Sequence, residues 1–269
     1  MKSDTKKLQK YLCLTLDLEQ DYGRTNSYSS QRNIEPLLEL LKKYQMKLNI
    51  FVTGKILDEK PGIIKKFKNL PVEFELHSYS HSINSPLPIE KKIKEVIKSK
   101  QAYVSYFNKA PLGYRAPQGV ISNQELEILA RENFKYSSCL FPSWRPGLFN
   151  NLKQPIFPYL TNYGILEMPF SVIPKIRIPI TLSYQQLFGW LFYKMSFSIF
   201  GWPDIIIYDF HLDNLTQTRT TKGLPFYLRL THFRNRNNGL KILEKFLQFT
   251  QKHNYQSIFM SKLYNFYKK

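Results

Sequence analysis

Val72-Glu73-Phe74-Glu75-Leu76-His77-Ser78-Tyr79-Ser80-His81 is the stretch on which the reading of this chain turns. Its first half reads as a β-strand, and both histidines fall beyond the strand's end. Histidines four apart meet on one face if the segment turns helically. Two neutral imidazoles and one carboxylate make a three-ligand zinc site with a fourth position open for water. The carboxylate is sought in Thr15-Leu16-Asp17-Leu18-Glu19, the acidic end of the first strand. Alone, His-x-x-x-His also describes two ordinary loop histidines, so the reading depends on what else the chain brings to the same place.

Working outward, strands and helices alternate. Tyr11 to Asp17 is the first strand. Asn33 to Tyr44 is a helix with Ile34, Leu37, Leu38 and Leu41 at helical spacing and Asn33 as its N-cap. Leu48 to Thr53 is a strand, Pro61 to Lys68 a short basic helix, and Val72 to Leu76 the third strand. Ile89 to Phe107 is a long helix expected to bury Ile93, Val96, Ile97 and Val104. Pro111 to Arg115 is a strand. Ser122 and Glu125 form a capping box for the helix Asn123 to Glu132. Phe134 to Ser138 and Gly164 to Met168 are strands separated by a long surface loop, 141–162. Ser183 to Phe200 reads as one helix, Asp204 to Phe210 as a strand, and 212–232 as irregular. Asn238 to Lys252 is an amphipathic helix, and Ser257 to Met260 a last strand.

A β-α-β-α order with short connections predicts parallel strands and right-handed crossovers. Seven or eight such units over this length point to an α/β fold of the incomplete (β/α) barrel type, in one domain with a core at about 11–260. A doubly wound open sheet is the alternative. No glycine-rich phosphate loop follows the first strand, which argues against a nucleotide-binding version.

The chain has 269 residues with a formal net charge of +19 and 43% hydrophobic residues. A strongly basic balance suits an anionic partner such as a membrane surface, a nucleic acid or a phosphorylated or acidic glycan, or else a solvated lysine-rich surface. Two cysteines, Cys13 and Cys139, make no disulfide framework and read as reduced core thiols. No signal peptide follows Met1 to Lys10, and no apolar run reaches a membrane span, so a cytoplasmic location is expected. The richest apolar stretch, Leu187 to Trp202, carries Lys194 and suits either an interfacial helix or a helix covering the barrel.

The unusual polar residues fall at strand ends. Asp17 and Glu19 follow the first strand, and His77 and His81 the third. Arg115 ends the fourth within Gly113-Tyr114-Arg115-Ala116-Pro117-Gln118-Gly119. His211 ends a late strand within Tyr208-Asp209-Phe210-His211. In a parallel barrel these ends gather on one face, the face that carries chemistry. Taken singly, Arg115 also suits a structural salt bridge and His211 a buried hydrogen-bonded histidine. His232 and His253 read as ordinary histidines.

The ordered set resembles the polysaccharide deacetylases with the NodB homology domain, carbohydrate esterase family four. It matches Thr-x-Asp, His-Ser-x-x-His, Arg-x-Pro-x-Gly and a late strand ending in His. Phe134 to Pro142 and Leu166-Glu167-Met168-Pro169 are also similar to family segments, and the resemblance spans roughly 11–260. It implies a hydrolase of amide carbon–nitrogen bonds. By the same resemblance Glu19, His77 and His81 hold a divalent metal, zinc being the one implied, Asp17 is the catalytic base, Arg115 holds Asp17 ionised, and His211 is the catalytic acid. Many members have adjacent aspartates after the first strand. Here Leu18 separates Asp17 from Glu19, with Asp21 as a fallback for either role. Asp209 stands where many members have a leucine of the acetate pocket, and Gln118 where an aromatic is common.

The implied substrate is an N-acylated amino sugar of a glycan or, given the charge and the missing signal, a lipid-linked saccharide at the inner membrane face. Peripheral contact with an anionic membrane follows from the same argument, and no nucleic acid is expected. A deformylase of a lipid-linked amino sugar and a metal-independent amidohydrolase are the alternative enzymes. A basic binder of anionic polymers is the non-enzymatic alternative.

Overall fold

The structure, a computed structural model, describes residues 9–21, 27–81, 88–216 and 234–268. A nine-stranded sheet curls into an incomplete barrel. Its strands are β1 (Lys10–Leu18), β2 (Leu48–Val52), β3 (Val72–Leu76), β4 (Gly113–Tyr114), β5 (Tyr136–Ser137), β8 (Tyr159–Leu160), β9 (Leu166–Glu167), β10 (Ile205–His211) and β11 (Tyr255–Ser257). They run in the order β10-β1-β2-β3-β4-β5-β9-β8, with β11 beside the start of β1. The seven from β10 to β9 are mutually parallel, and β8 is antiparallel at the edge. The strands β6 (Trp144–Arg145) and β7 (Phe149–Asn150) form a separate small hairpin. The loop expected at 141–162 therefore holds three short strands.

The gap between β9 and β10 is bridged by residues 171–181. Ser171 donates its backbone N–H to Ile207 (3.2 Å), and its hydroxyl accepts from the Ile207 N–H (2.8 Å). Thr181 pairs with Asp209 as an isolated bridge.

Side chains alternate across the pleat, so Cys13, Thr15 and Asp17 point one way and Leu12, Leu14, Leu16 and Leu18 the other. The leucines join the larger apolar cluster under the helices. Cys13 joins Phe51, Tyr136, Leu166, Met168 and Ile207 in a second cluster inside the barrel, closed from below by Ile258, Met260 and Leu263. The interior is therefore an apolar plug at one end and a polar layer at the other. Both cysteines are free and buried, and burial raises both thiol pKa values.

The helices are α1 (Ile34–Lys43), α2 (Gly54–Glu59), α3 (Pro61–Lys65), α4 (Ile89–Phe107), α5 (Asn123–Arg131), α6 (Leu182–Phe188), α7 (Trp190–Phe200), α8 (Leu212–Leu215), α9 (Gly239–Lys252) and α10 (Met260–Tyr267). The capping box of α5 is present as the sequence predicts. Several local expectations are corrected. Asn33 precedes α1 but does not cap it; its amide donates to Leu212 O and its carbonyl accepts from Thr216. The core face of α4 is rotated: Lys92, Val96, Ser99, Ala102 and Tyr103 are buried, while Val104 is 41% exposed. Lys92 can be buried because its amine meets Glu125 at 3.2 Å. The single helix expected over 183–200 is two, broken at Gly189, whose φ of 85° no helix accommodates. Met260–Tyr267 is helical, and the last strand is Tyr255–Ser257. His232 and most of the irregular stretch 212–232 lie outside the described residues; the part described is α8 and Thr216.

Candidate active site

The register of the sheet assembles the site. β1 pairs with β10 so that Thr15 is opposite Asp209 and Asp17 opposite His211. β3 pairs with β4 through Leu76 and Tyr114, which sets His77 level with Arg115. Six side chains from four strand ends thus enter one small volume, at the end of the barrel away from the apolar plug.

Arg115 is the centre of the polar layer and is fully buried. Its guanidinium lies between the rings of Phe51 (4.0 Å) and Phe170 (4.4 Å). Nε donates to Ser138 O (2.9 Å), and one terminal nitrogen donates to Ser138 Oγ (3.0 Å). The other donates to Asp17 Oδ1 and Asp209 Oδ1, each at 2.7 Å, and to Thr15 Oγ1 at 2.9 Å. The turn after Arg115 needs its glycine: Gly119 has φ 66°, and a Cβ there would lie 2.6 Å from Cys139 O. Glu167 fixes the facing loop by accepting from the N–H groups of Cys139 (2.9 Å) and Leu140 (2.8 Å).

Above this layer, Glu19 Oε2 lies 2.5 Å from His81 Nε2 and 3.9 Å from His77 Nε2. One ligand atom from each of the three residues falls within 4.8 Å of the others. His77 Nδ1 is 2.9 Å from Arg115 O, which makes Nδ1 the protonated nitrogen and turns the Nε2 lone pair inward. Glu19 Oε2 and His77 Nε2 are buried without a hydrogen bond, the close contact to His81 not being aligned for one. Buried polar atoms are rarely left this way. Two imidazoles and a carboxylate converge here, with lone pairs of Glu19 and His77 unsatisfied, and the set fits a divalent metal of the zinc type.

The histidines do not meet on a helix. Ser78 and His81 both adopt left-handed backbone (φ 56°), and the ring centroids are 4.9 Å apart. The loop is held from outside. Glu95 of α4 accepts from the N–H groups of Tyr79 (3.2 Å) and Ser80 (2.9 Å) and from the Ser80 hydroxyl (2.9 Å). Ser78 Oγ accepts from His81 N–H at 3.1 Å. Glycine at position 54 admits Tyr79, since a Cβ there would sit 2.6 Å from its ring. Such strained residues persist where the surroundings determine them, and they cluster at functional sites.

Asp17 Oδ2 lies 3.7 Å from His77 Nε2 and 3.8 Å from His211 Nε2. Burial opposes its ionisation, but Arg115, His77 and His211 outweigh burial and hold the carboxyl below its usual range. Glu19 is likewise lowered against burial, by His81 and His211. Burial lowers His77 to about 4, so its imidazole is neutral at ordinary pH. His211 Nε2 is 3.3 Å from Glu19 Oε1, and its side chain is 32% exposed. Burial disfavours its charged form, yet Glu19, Asp209 and Asp17 outweigh that and raise its pKa.

Asp21 is not brought to this site. Its carboxylate accepts from Ser27 Oγ, Ser29 Oγ and the N–H groups of Ser29 and Ser30, all within 3.0 Å. Asp209, which sequence reasoning placed at an acyl-pocket position, instead turns to Arg115 and accepts from Thr15 Oγ1 at 3.1 Å. Burial and the neighbouring Asp17 raise its pKa to about 7. Only the β1–β10 register exposes that partnership. Glu95 was equally invisible, lying among the surface charges of a lysine-rich helix.

The fold and this group of side chains point to a hydrolase of amide carbon–nitrogen bonds. The polysaccharide deacetylase family model matches residues 4–137, just under half of the chain. None of the curated proteins matches it. Among solved structures it is similar to a putative polysaccharide deacetylase from Mycobacterium smegmatis (16% identity, TM-score 0.64, 97% of this chain and 91% of that one). It is also similar to the Bc1960 peptidoglycan N-acetylglucosamine deacetylase (14%, 0.57, 94% and 87%) and to the PuuE allantoinase (12%, 0.62, 95% and 89%).

Proposed function

We propose that this chain is one catalytic domain that removes an N-acyl group, acetyl in the first instance, from an amino sugar of a glycan or lipid-linked saccharide, and that it depends on a divalent metal. Glu19, His77 and His81 would hold the metal, and their ligand types suit zinc. When bound, it would polarise the acyl oxygen and acidify a water. The remaining steps belong to the chain's own side chains. Asp17 takes a proton from the attacking water as its oxygen adds to the acyl carbon. Arg115, donating to Asp17 at 2.7 Å, keeps that carboxylate ionised and aimed. His211, across the rim and charged by its acidic neighbours, gives its proton to the sugar nitrogen as the carbon–nitrogen bond breaks. The products are the free amine and the carboxylic acid.

The observation that carries this reading is the convergence of Glu19 Oε2 and His77 Nε2, buried and without a hydrogen bond, beside His81. The family-model match over residues 4–137 supports the amide-hydrolase part. The test is release of acetate from a water-soluble N-acetylated amino sugar, before and after chelation and zinc replacement. Activity that falls on chelation and returns with zinc supports the reading. Turnover indifferent to chelator favours a metal-independent amidohydrolase, and release of formate alone favours a deformylase. A cytoplasmic protein working at the inner membrane face is the setting we favour.

A further inference from the structure

Helix α7 has two faces. Tyr193, Ser196 and Phe197 are buried against the barrel. On the opposite side Leu191, Met195 and Ile199, four residues apart, are 67%, 57% and 69% exposed. A run at i, i+4 and i+8 forms one stripe along a helix. Large apolar side chains this exposed and contiguous mark a contact surface. With 11 residues the helix spans about 16 Å, so it can lie on a membrane but not cross one.

Charge around the stripe selects the partner. From Met168 to Pro203 the chain contains no Asp or Glu, but has Lys175, Arg177 and Lys194, the last exposed beside the stripe. The neighbouring helix is α9: Trp190 packs edge-on against Phe249 (5.7 Å), and Trp202 stacks on it (3.9 Å). α9 presents Lys241, Lys245 and Lys252 to solvent. At 3.6 residues per turn these three fall within about 40° of one another, a second stripe on the helix that packs against α7. The acid of α9, Glu244, is paired with Lys43 at 2.7 Å. A helix with apolar side chains outward and lysines alongside is the pattern of an element lying in the headgroup region of an anionic bilayer.

We propose that the outer face of α7, with the lysine stripe of α9, docks the protein on an anionic lipid surface through insertion of Leu191, Met195 and Ile199. The docked face adjoins the mouth of the site. α6, which leads into α7, begins at Thr181, the bridge partner of Asp209, and its Gln186 amide donates to Asn214 O just beyond His211 (2.9 Å). Phe188 at the end of α6 stacks on Phe192 of α7 (5.0 Å). Docking would thus place the site beside the headgroups, where the saccharide of a lipid-linked substrate lies; that last step rests on the proposed function, whereas the docking does not.

The test is flotation of the full chain with phosphatidylcholine vesicles, with and without about one-third phosphatidylglycerol, at low and high salt. The wild type should float with the anionic vesicles alone, and less at high salt. The Leu191→Gln/Met195→Gln/Ile199→Gln variant should lose at least about tenfold in partitioning, while keeping full turnover of a water-soluble acetylated amino sugar. Lys241→Glu/Lys245→Glu/Lys252→Glu, an independent variant, should lose about fivefold per lysine. Wild type that fails to float, or variants that float equally well, would overturn the proposal. So would a wild-type dimer that the apolar variant converts to monomer without any flotation, since the face would then be covered by a second copy. Flotation reads docking whether or not the enzyme turns over, so its failure is separate from failure of the proposed activity.

Discussion

Replacing Arg115 by methionine removes a charge from the middle of the polar layer while keeping a side chain of similar length between Phe51 and Phe170. Asp17 and Asp209 each lose a 2.7 Å bond to the same nitrogen, in a site where neither can reach bulk water. Breaking a buried ion pair by removing one partner costs about 3–5 kcal/mol. The pH dependence gives the cause. In the wild type, Asp17 has a folded pKa below its unfolded value, so its stabilisation is present above about pH 4 and is lost as pH falls through the folded value. Without the cation, burial dominates and the folded pKa rises above the unfolded one, which reverses the sign: stability then falls as pH rises from about 4. The gap between wild type and Arg115→Met should therefore widen from pH 4 to pH 8 and reach about 3–5 kcal/mol at the upper end. Urea denaturation followed by tryptophan fluorescence measures it. A gap of the same size at both pH values would mean that only packing was lost, and the electrostatic account of Arg115 would be refuted.

Asp209→Asn keeps an acceptor for Arg115 but removes a carboxyl whose pKa is raised to about 7, so the wild-type loss of stability between about pH 4 and 7 should flatten in the same urea series. Glu95→Gln weakens the bonds that hold Tyr79 and Ser80 and should cost about 10–100-fold in zinc affinity, read by competition with a chelating dye. Gly54→Ala puts a methyl 2.6 Å from the Tyr79 ring and 3.1 Å from the Ser99 backbone, and should lower stability by about 1–3 kcal/mol, visible as a drop in Tm. His211→Ala should keep its bound metal and its Tm while turnover falls by about 10²–10⁴.

The barrel was legible because strands with an interior and an exterior face leave a period of two, and because polar residues rarely stand at the ends of apolar strands without a reason. β1, β3 and α4 came out within a residue of where the pattern puts them. The break at Gly189 was also available, since a glycine at the end of a helical pattern is a common stop signal. Three things were not readable. Which face of α4 is buried depended on Glu125 arriving from α5 to pair with Lys92. The left-handed turns at Ser78 and His81 are imposed by Glu95 from another element. The fate of Asp209 required the register that sets it beside Thr15. All three are long-range pairings, which local periodicity cannot encode.

Metal content of purified variants tests the central claim most directly. After equilibration with zinc and removal of excess, wild type, Asp17→Asn and Asp21→Ala should carry stoichiometric metal by elemental analysis. Glu19→Ala, His77→Ala and His81→Ala, checked as folded by circular dichroism, should carry little, because two ligands hold zinc far more weakly than three. Full metal in Glu19→Ala together with loss in Asp21→Ala, or equal metal in all six proteins, would contradict the account.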